Sequence, residues 1–334
     1  MAAGTPPADY PVEVCLDCTY ACNVRCVHCN VRSLADSSRP ELTTDEVMGL
    51  FGQWAELGVK RLTLTGGEVL VRPDWEALVR AACERFAVVL FTNGIAATPA
   101  VAATLAGMRG LTVEVSAYGA TAAVYEAVTR APGSFARFQS GVAALRAAGV
   151  NVVMKSMLLR QNIHEWEALC AAYGGEDFKW DFRLSPRFDG GRGPVACRAT
   201  DRQVFDFLCG SGVRRRRGKA PRPLPDDPVC GAANRGCAVS AYGDVFPCGM
   251  WPVSGGNVRE ATFAEIWRSE ALAWVRSLCY RDLPECISCA ALAYCRPCPG
   301  RNYLESGDLH RPCLDNCRSA RLKQMAAELK LRRQ

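Results

Sequence analysis

Arg61-Leu62-Thr63-Leu64-Thr65-Gly66-Gly67-Glu68 reads as a short strand that stops at two glycines and a carboxylate. Upstream, Thr43 and Glu46 form a capping-box pattern, Val47, Leu50, Phe51 and Trp54 fall on one helical face, and Gly58 closes the helix. The alternation repeats outward. Further β-rich runs occupy residues 11–16, 87–91, 111–115, 151–154 and 179–184. Thr98 with Pro99, and Ser134 followed by Phe135, Phe138, Val142, Leu145 and Gly149, open helices between them. Six β/α units are too few to close an eight-stranded barrel. The predicted fold is therefore α/β, an open, partial (β/α)6 TIM-like barrel over residues 11–210, with its site at the strands' C-terminal ends.

The chain has 334 residues, 49% hydrophobic and 22% charged, with nineteen cysteines against three histidines. That cysteine count in a chain this long, beginning without a basic start or an apolar signal core, argues against a secreted disulfide scaffold. No run of about 18 apolar residues is present, so no membrane span is expected. Clustered thiols in a reducing cytoplasm hold metal or do redox work. The formal charge of +6 is a weak pull on acidic partners and decides nothing alone.

Composition changes after the barrel. A helix is expected near 201–209, then a basic, Pro-rich linker over 211–229 that includes Arg214 to Arg217. From Cys230 to Cys317 there are ten cysteines, a hairpin signal at Gly243-Asp244 and one amphipathic helix bearing Phe263, Ile266, Trp267, Trp274 and Val275. So little apolar material needs staples, and metal would supply them in a small cysteine-rich α+β domain over 230–317. Residues 318–334 read as a basic helix, and residues 1–10 as a disordered start.

The chemistry-bearing motif after the first strand is Cys22-Asn23-Val24-Arg25-Cys26-Val27-His28-Cys29. Three thiolates at x3 and x2 spacing can bind one 4Fe-4S cube from a single loop and leave one iron without a protein ligand. Structural zinc is the alternative, although it normally takes four closed ligands. In Gly66-Gly67-Glu68, the missing side chains would let a ligand lie against the backbone, and the carboxylate suits an ammonium group. Both motifs follow strands of one parallel sheet, so both face one mouth.

On these residues the chain resembles the radical S-adenosylmethionine (SAM) superfamily over roughly residues 11–185. The resemblance implies that Cys22, Cys26 and Cys29 hold the catalytic 4Fe-4S cluster and that Gly66, Gly67 and Glu68 bind the SAM amino group. It also points to SAM contacts at Asn93 within Thr92-Asn93-Gly94, at Ser116 and at Lys155. His28 stands where the family usually has an aromatic ring near adenine. The C-terminal cysteines are similar to the SPASM extension, in which two auxiliary 4Fe-4S clusters bring the total to three. The family's order would give Cys230, Cys237, Cys248 and Cys298 to the first. Cys286, Cys289, Cys295 and Cys317 would hold the second, with Cys313 as the alternative last ligand. The chain has Cys295-x2-Cys298 where the family usually shows x3.

By resemblance, such an enzyme reduces its first cluster, cleaves SAM to methionine and a 5′-deoxyadenosyl radical, and abstracts a substrate hydrogen. Oxidative crosslinking of a ribosomally made peptide or a protein is the expected outcome, through a C–C or thioether bond. The one-electron donor would be an external flavodoxin or ferredoxin. With the first strand near residue 11, no amino-terminal leader-binding domain is expected. A peptide would then need a separate leader-recognition protein or a docking surface such as the basic linker. The alternatives are a sugar or aminocyclitol dehydrogenase or epimerase and, more distantly, a zinc-stabilised nucleic-acid-binding protein. Arg183, Arg187 and Asp189 either line the substrate mouth or form surface ion pairs. Cys83 and Cys170 read as small core residues, and His164 and His310 as structural. Cys15, Cys18, Cys197 and Cys209 carry no assigned role, and Cys279 is the candidate spare ligand or hydrogen donor.

Overall fold

The computed structural model describes residues 9–174, 178–210 and 222–332. The expectations for residues 1–8 and for the linker as far as residue 221, with its arginine run, lie outside the described residues. Six strands run parallel in sequence order: β1 (Glu13–Thr19), β2 (Arg61–Gly66), β3 (Ala87–Thr92), β4 (Leu111–Ser116), β5 (Val152–Met157) and β6 (Lys179–Asp181). The helices between them are α1 (Thr44–Glu56), α2 (Trp75–Cys83), α3 (Pro99–Ala106), α4 (Ala122–Thr129), α5 (Ser134–Ala147) and α6 (Trp166–Tyr173). Beyond the barrel come α7 (Gly193–Ala196), α8 (Asp201–Cys209), β7 (Gly236–Val239), β8 (Val245–Phe246), α9 (Phe263–Trp267), α10 (Glu270–Ser277), α11 (Pro284–Ile287), α12 (Pro299–Ser306) and α13 (Leu314–Arg332).

Strand alternation sorts the residues by face. Val14, Leu16, Leu62, Leu64, Val88, Leu90, Val113 and Val115 are buried and pack in one core with Leu50, Phe51 and Trp54 of α1. Each such side chain contributes about 1.5–3 kcal/mol by leaving water. The opposite face carries polar groups in register, Cys15 beside Thr63, Asp17 beside Thr65 and Ser116 beside Lys155. That face lines the barrel interior and leads up to the strand ends.

The sheet does not stop at β1. Its order is β6-β5-β4-β3-β2-β1-β7-β8, so a hairpin from the C-terminal region completes the edge that the open barrel would expose. β7 runs parallel to β1, with Val14 opposite Cys237 and Leu16 opposite Val239. Cys237 thereby sits on the helix-packed face of the sheet, in the main core.

Local chemistry explains where elements depart from the sequence reading. The single amphipathic helix expected around Phe263 to Val275 is two helices. Ser269 caps α10 by accepting from Leu272 N at 3.4 Å, which breaks the run and leaves Trp274 exposed. The sixth strand is shorter than expected because the Asp181 carboxylate takes the main-chain N–H groups of Phe182 and Arg183. α5 begins after Gly133, whose φ of 72° supplies the turn, while the Ser134 hydroxyl bonds Thr129 inside the core. The basic C-terminal helix starts at Leu314, taking Cys317 into its first turns, and packs Leu322 and Ala326 into the main core. The Thr43–Glu46 capping box forms as the sequence indicates, and Glu46 also takes the guanidinium of Arg259.

Candidate cluster and cofactor sites

The cysteine loop leaves β1 and is fastened on two sides. On one side Gly67 N donates to Thr19 O at 2.7 Å and Glu68 N to Ala21 O at 2.9 Å. A Cβ at Gly66 would overlap the Thr19 carbonyl and one at Gly67 the Ala21 carbonyl. The glycines therefore let the loop's own backbone, rather than a ligand, lie against the end of β2. On the other side Arg25 N and Val27 N donate to Thr129 O and Val128 O at the end of α4, each at 2.9 Å. A small core of Val128, Leu159, Leu184 and Cys197 packs with Val27 beneath the loop, and the Cys197 thiol points to Val27 O at 3.7 Å.

Within this frame Cys22, Cys26 and Cys29 act on one another electrostatically. The Cys26 thiol is pushed up to about 12 by burial and then by the neighbouring thiolates of Cys29 and Cys22, and burial raises Cys22 as well. A bound cation reverses that penalty, because thiolates that repel one another are its ligands. His28 is buried, its imidazole pushed down to about 4 by burial and so neutral at neutral pH. It meets the Tyr118 ring edge-on at 4.9 Å, and its Nδ1 has no hydrogen-bond partner. Three converging thiols beside an orphaned ring nitrogen fit a bound cluster and its ligand. Tyr118 was not singled out from sequence; its one signal is its place two residues beyond Ser116, where β4 ends.

Glu68 is buried, and burial raises its pKa. Its carboxylate accepts from Thr92 Oγ1 at 2.8 Å, Asn93 N at 2.7 Å and Leu70 N at 3.2 Å. A carboxylate has roughly four acceptor sites, so about one stays free for an ammonium group. Asn93 donates through Nδ2 to Asn23 Oδ1 at 2.7 Å, tying β3 to the cysteine loop, and accepts from Ile95 N at 2.9 Å. Asn23 is a further tie that sequence reading missed, although it stands inside the motif. Ser116 lies at the end of β4, and burial raises the pKa of the nearby Tyr118 phenol. Lys155 lies deeper, its Nζ 2.7 Å from the Phe91 ring centre and 3.8 Å from Glu114, which also pairs with Lys179. Burial pulls Lys155 down to about 7. Asp17, whose pKa burial pushes up to about 6, accepts from the Tyr20 hydroxyl at 3.2 Å inside the barrel.

The C-terminal thiols form two groups. Cys286, Cys289, Cys295 and Cys317 line one cavity of about 920 Å³, together with Arg160, Arg311 and Arg321. Cys313 is outside it, buried with its N–H on Asn302 Oδ1 at 2.9 Å, so the structure brings Cys317 rather than Cys313 to the group. In the second group Cys248 feels the charges of Cys298 and Cys230, with burial as the main cause of its rise to about 12. Cys237 does not join them. Its rise comes from burial first and then from Cys15 on the adjacent strand, because the β7 pleat turns its thiol into the helix-packed core. Its expected place beside Cys230, Cys248 and Cys298 is therefore corrected. Among the described residues no three His, Cys, Asp or Glu side chains are close enough to hold a single metal ion. Both groups consist of thiols alone, the donor set of an iron-sulfur cube.

Of the remaining candidates, Arg187 and Asp189 form an exposed ion pair at 3.0 Å and Arg183 grips Asp181 at 2.7 Å. The Cys279 thiol points to Ser277 O at 3.2 Å, and His310 Nδ1 meets Asp282 O at 2.8 Å. Cys83 and Cys170 pack against the main core.

Residues 16–172 match the family model of the Radical SAM superfamily, and residues 230–299 match that of an iron-sulfur cluster-binding domain, SPASM. The chain is 31% identical over 313 residues to mycofactocin maturase of Mycolicibacterium smegmatis, covering 86% of this chain and 76% of that one. The chain belongs to the radical SAM superfamily. This radical SAM chain is also 29% identical over 334 residues to the AdoMet-dependent heme synthase of Methanosarcina barkeri, covering 89% of it and 94% of the relative. Its fold is that of native anSMEcpe with bound AdoMet and Kp18Cys peptide, at a TM-score of 0.75 and 14% identity, covering 96% of this chain and 98% of the other. Membership in the family brings iron-sulfur and SAM as its cofactors, and the partial barrel of six parallel strands is the family's fold. Among the described residues no helix is long and apolar enough to cross a membrane.

Proposed function

We propose that this radical SAM enzyme oxidatively modifies a ribosomally made peptide in the cytoplasm, forming a C–C or thioether crosslink. The observation that carries the reading is the similarity to mycofactocin maturase across most of both chains, joined by the all-thiol groups of the C-terminal region. Cys22, Cys26 and Cys29 hold the catalytic cluster, and Glu68 uses its free acceptor site for the SAM amino group. Gly66 and Gly67 seat the loop that makes this approach possible, while Asn93, Ser116 and Lys155 face the cofactor from β3, β4 and β5. Bound there, cluster and SAM supply a 5′-deoxyadenosyl radical able to take a substrate hydrogen. The chain's part is to position and to exclude water. Thr92 and the Asn93 N–H fix the Glu68 carboxylate, and the His28–Tyr118 pair closes the apolar side of the loop.

Two auxiliary clusters complete the set of three, one on Cys286, Cys289, Cys295 and Cys317 and one on the group of Cys230, Cys248 and Cys298. Held there, they would supply a one-electron acceptor for the second step of a net two-electron oxidation. The first electron comes from an external flavodoxin- or ferredoxin-type donor, and a separate leader-recognition protein presents the peptide. Anaerobic turnover with a candidate precursor peptide, read by mass spectrometry, tests the reading. Loss of two hydrogens with equimolar 5′-deoxyadenosine is expected. An unchanged peptide alongside turnover of an iron tetrapyrrole, the class named by the heme synthase relative, would overturn it.

A further inference from the structure

The β4–β5 ladder ends where Ser116 pairs with Lys155. Ala117 N still donates to Lys155 O at 2.8 Å, and beyond it the two chains part, one into the loop that carries Tyr118 and the other into residues 158–162. Two side chains from beyond β5 bridge the parting. Asn162, fully buried, donates through Nδ2 to Tyr118 O and to Met157 O, each at 3.0 Å, and its Oδ1 accepts from Leu159 N at 2.7 Å. Both amide hydrogens are thereby in use. Glu165 takes the other end of the loop, accepting through Oε2 from Ala120 N at 2.7 Å and Thr121 N at 3.3 Å, and through Oε1 from Thr121 Oγ1 at 2.6 Å. Between these anchors Gly119 lies so close on α4 that a Cβ would come within 2.5 Å of Tyr125 N. The loop therefore has one seat. In that seat the Tyr118 ring meets His28 edge-on at 4.9 Å and packs on the small core of Val128 and Leu159.

Resting on the reading that cluster and SAM bind at the cysteine loop, we infer that Asn162 and Glu165 are positioning residues for SAM. Their side-chain hydrogen bonds end on Tyr118, Ala120 and Thr121 and on the end of β5, not on the cysteine loop, so they act through the Tyr118 ring on the wall it forms with His28. Once Tyr118 O is released from Nδ2, the ring is no longer held against that wall. A ligand that must first order part of its own site binds more weakly, because the ordering is charged against its affinity. The three thiols of the loop are left as they were. The effect therefore falls on SAM affinity and not on iron content.

The experiment uses the anaerobic holoenzyme with SAM and no peptide, and reads SAM affinity by equilibrium dialysis beside iron content and amide exchange. Asn162→Ala should keep the wild-type iron, raise the SAM Kd about tenfold and speed exchange at residues 117–121. Glu165 is half-buried, so Glu165→Ala spares the core, and it should raise the Kd about threefold. Tyr118→Ala should raise it at least as much as Asn162→Ala. Adding Asn162→Ala to Tyr118→Ala should then cost only about twofold more or less, because the ring it positions is already gone. A wild-type Kd in both Asn162→Ala and Glu165→Ala would overturn the inference. About a further tenfold loss in the double variant would overturn it as well, since Asn162 would then act by a route other than Tyr118. So would loss of iron in both single variants, which would make the turn a seat of the cluster itself. No peptide enters the measurement, so a failed crosslinking assay leaves the result standing, whereas a wild type that binds no SAM would sink the cofactor-site reading and the inference with it.

Discussion

The three thiols of the cysteine loop come from eight consecutive residues, Cys22 to Cys29, whereas the seven grouped thiols of the C-terminal region are drawn from Cys230 to Cys317. The loop rests on a finished barrel. Main-chain hydrogen bonds to Thr19, Ala21, Val128 and Thr129 hold it without any thiol taking part. Around the four-thiol cavity the chain runs through short turns, with few buried apolar side chains, such as Leu283, Ala291 and Leu292, between Cys279 and Cys313. There the thiols are anchors of the fold as well as ligands. Losing a thiol should therefore silence the loop but loosen the C-terminal region.

The largest effect tests the first half of that contrast. Cys26→Ala should reduce 5′-deoxyadenosine formation to background and remove about four irons, while unfolding free energy changes by about 1 kcal/mol or less. Assay by chromatography and denaturant titration checks both, and a large loss of stability would show that the loop is a structural anchor too. The second half is tested by the pair Cys317→Ala and Cys313→Ala. The first should cost about four irons and raise hydrogen exchange between Cys279 and Cys313. The second should keep its iron and lose about 1–2 kcal/mol as a buried thiol deleted from packing. Equal iron loss in both would erase the distinction drawn between them.

Smaller effects probe the seat of the loop. Gly67→Ala places a methyl group in the Ala21 carbonyl, and forcing the two strand ends apart should cost about 3 kcal/mol, read by denaturant unfolding. A near-neutral Ala would mean that the loop is free to shift. Asp17 lies on the interior face of β1, the strand from which the loop leaves. Burial lifts its pKa from 3.8 to about 6, so the folded chain keeps a proton that the unfolded chain gives up. The stability this lends is complete below about pH 4 and is lost as pH rises through about 6. Asp17→Asn removes that dependence. Relative to wild type it should gain stability from pH 4 to pH 6 and level off about 3 kcal/mol ahead, as unfolding across that range would show.

The same contrast explains how much was legible in the sequence. Barrel strands and helix caps are local, so the alternation and the Thr43–Glu46 box sufficed, and the x3 and x2 spacing set three thiols within one loop. What the sequence concealed is tertiary. Cys237 looks like one more cysteine in a row of ligands until β7 pairs with β1 and turns it inward. Gly66 and Gly67 read as room for a ligand, whereas the structure fills that room with the cysteine loop itself. Tyr118 and Asn23 carry only a positional signal, beyond Ser116 and inside the cysteine motif; each matters because a strand end brings it to His28 or to Asn93.

The most direct test of the account is the iron and 5′-deoxyadenosine balance of the anaerobic wild type against its Cys22→Ala, Cys26→Ala, Cys29→Ala variant. The account predicts about twelve irons falling to about eight, with 5′-deoxyadenosine formed only by the wild type. A colourless wild type holding zinc, or SAM cleavage that survives in the variant, would contradict it.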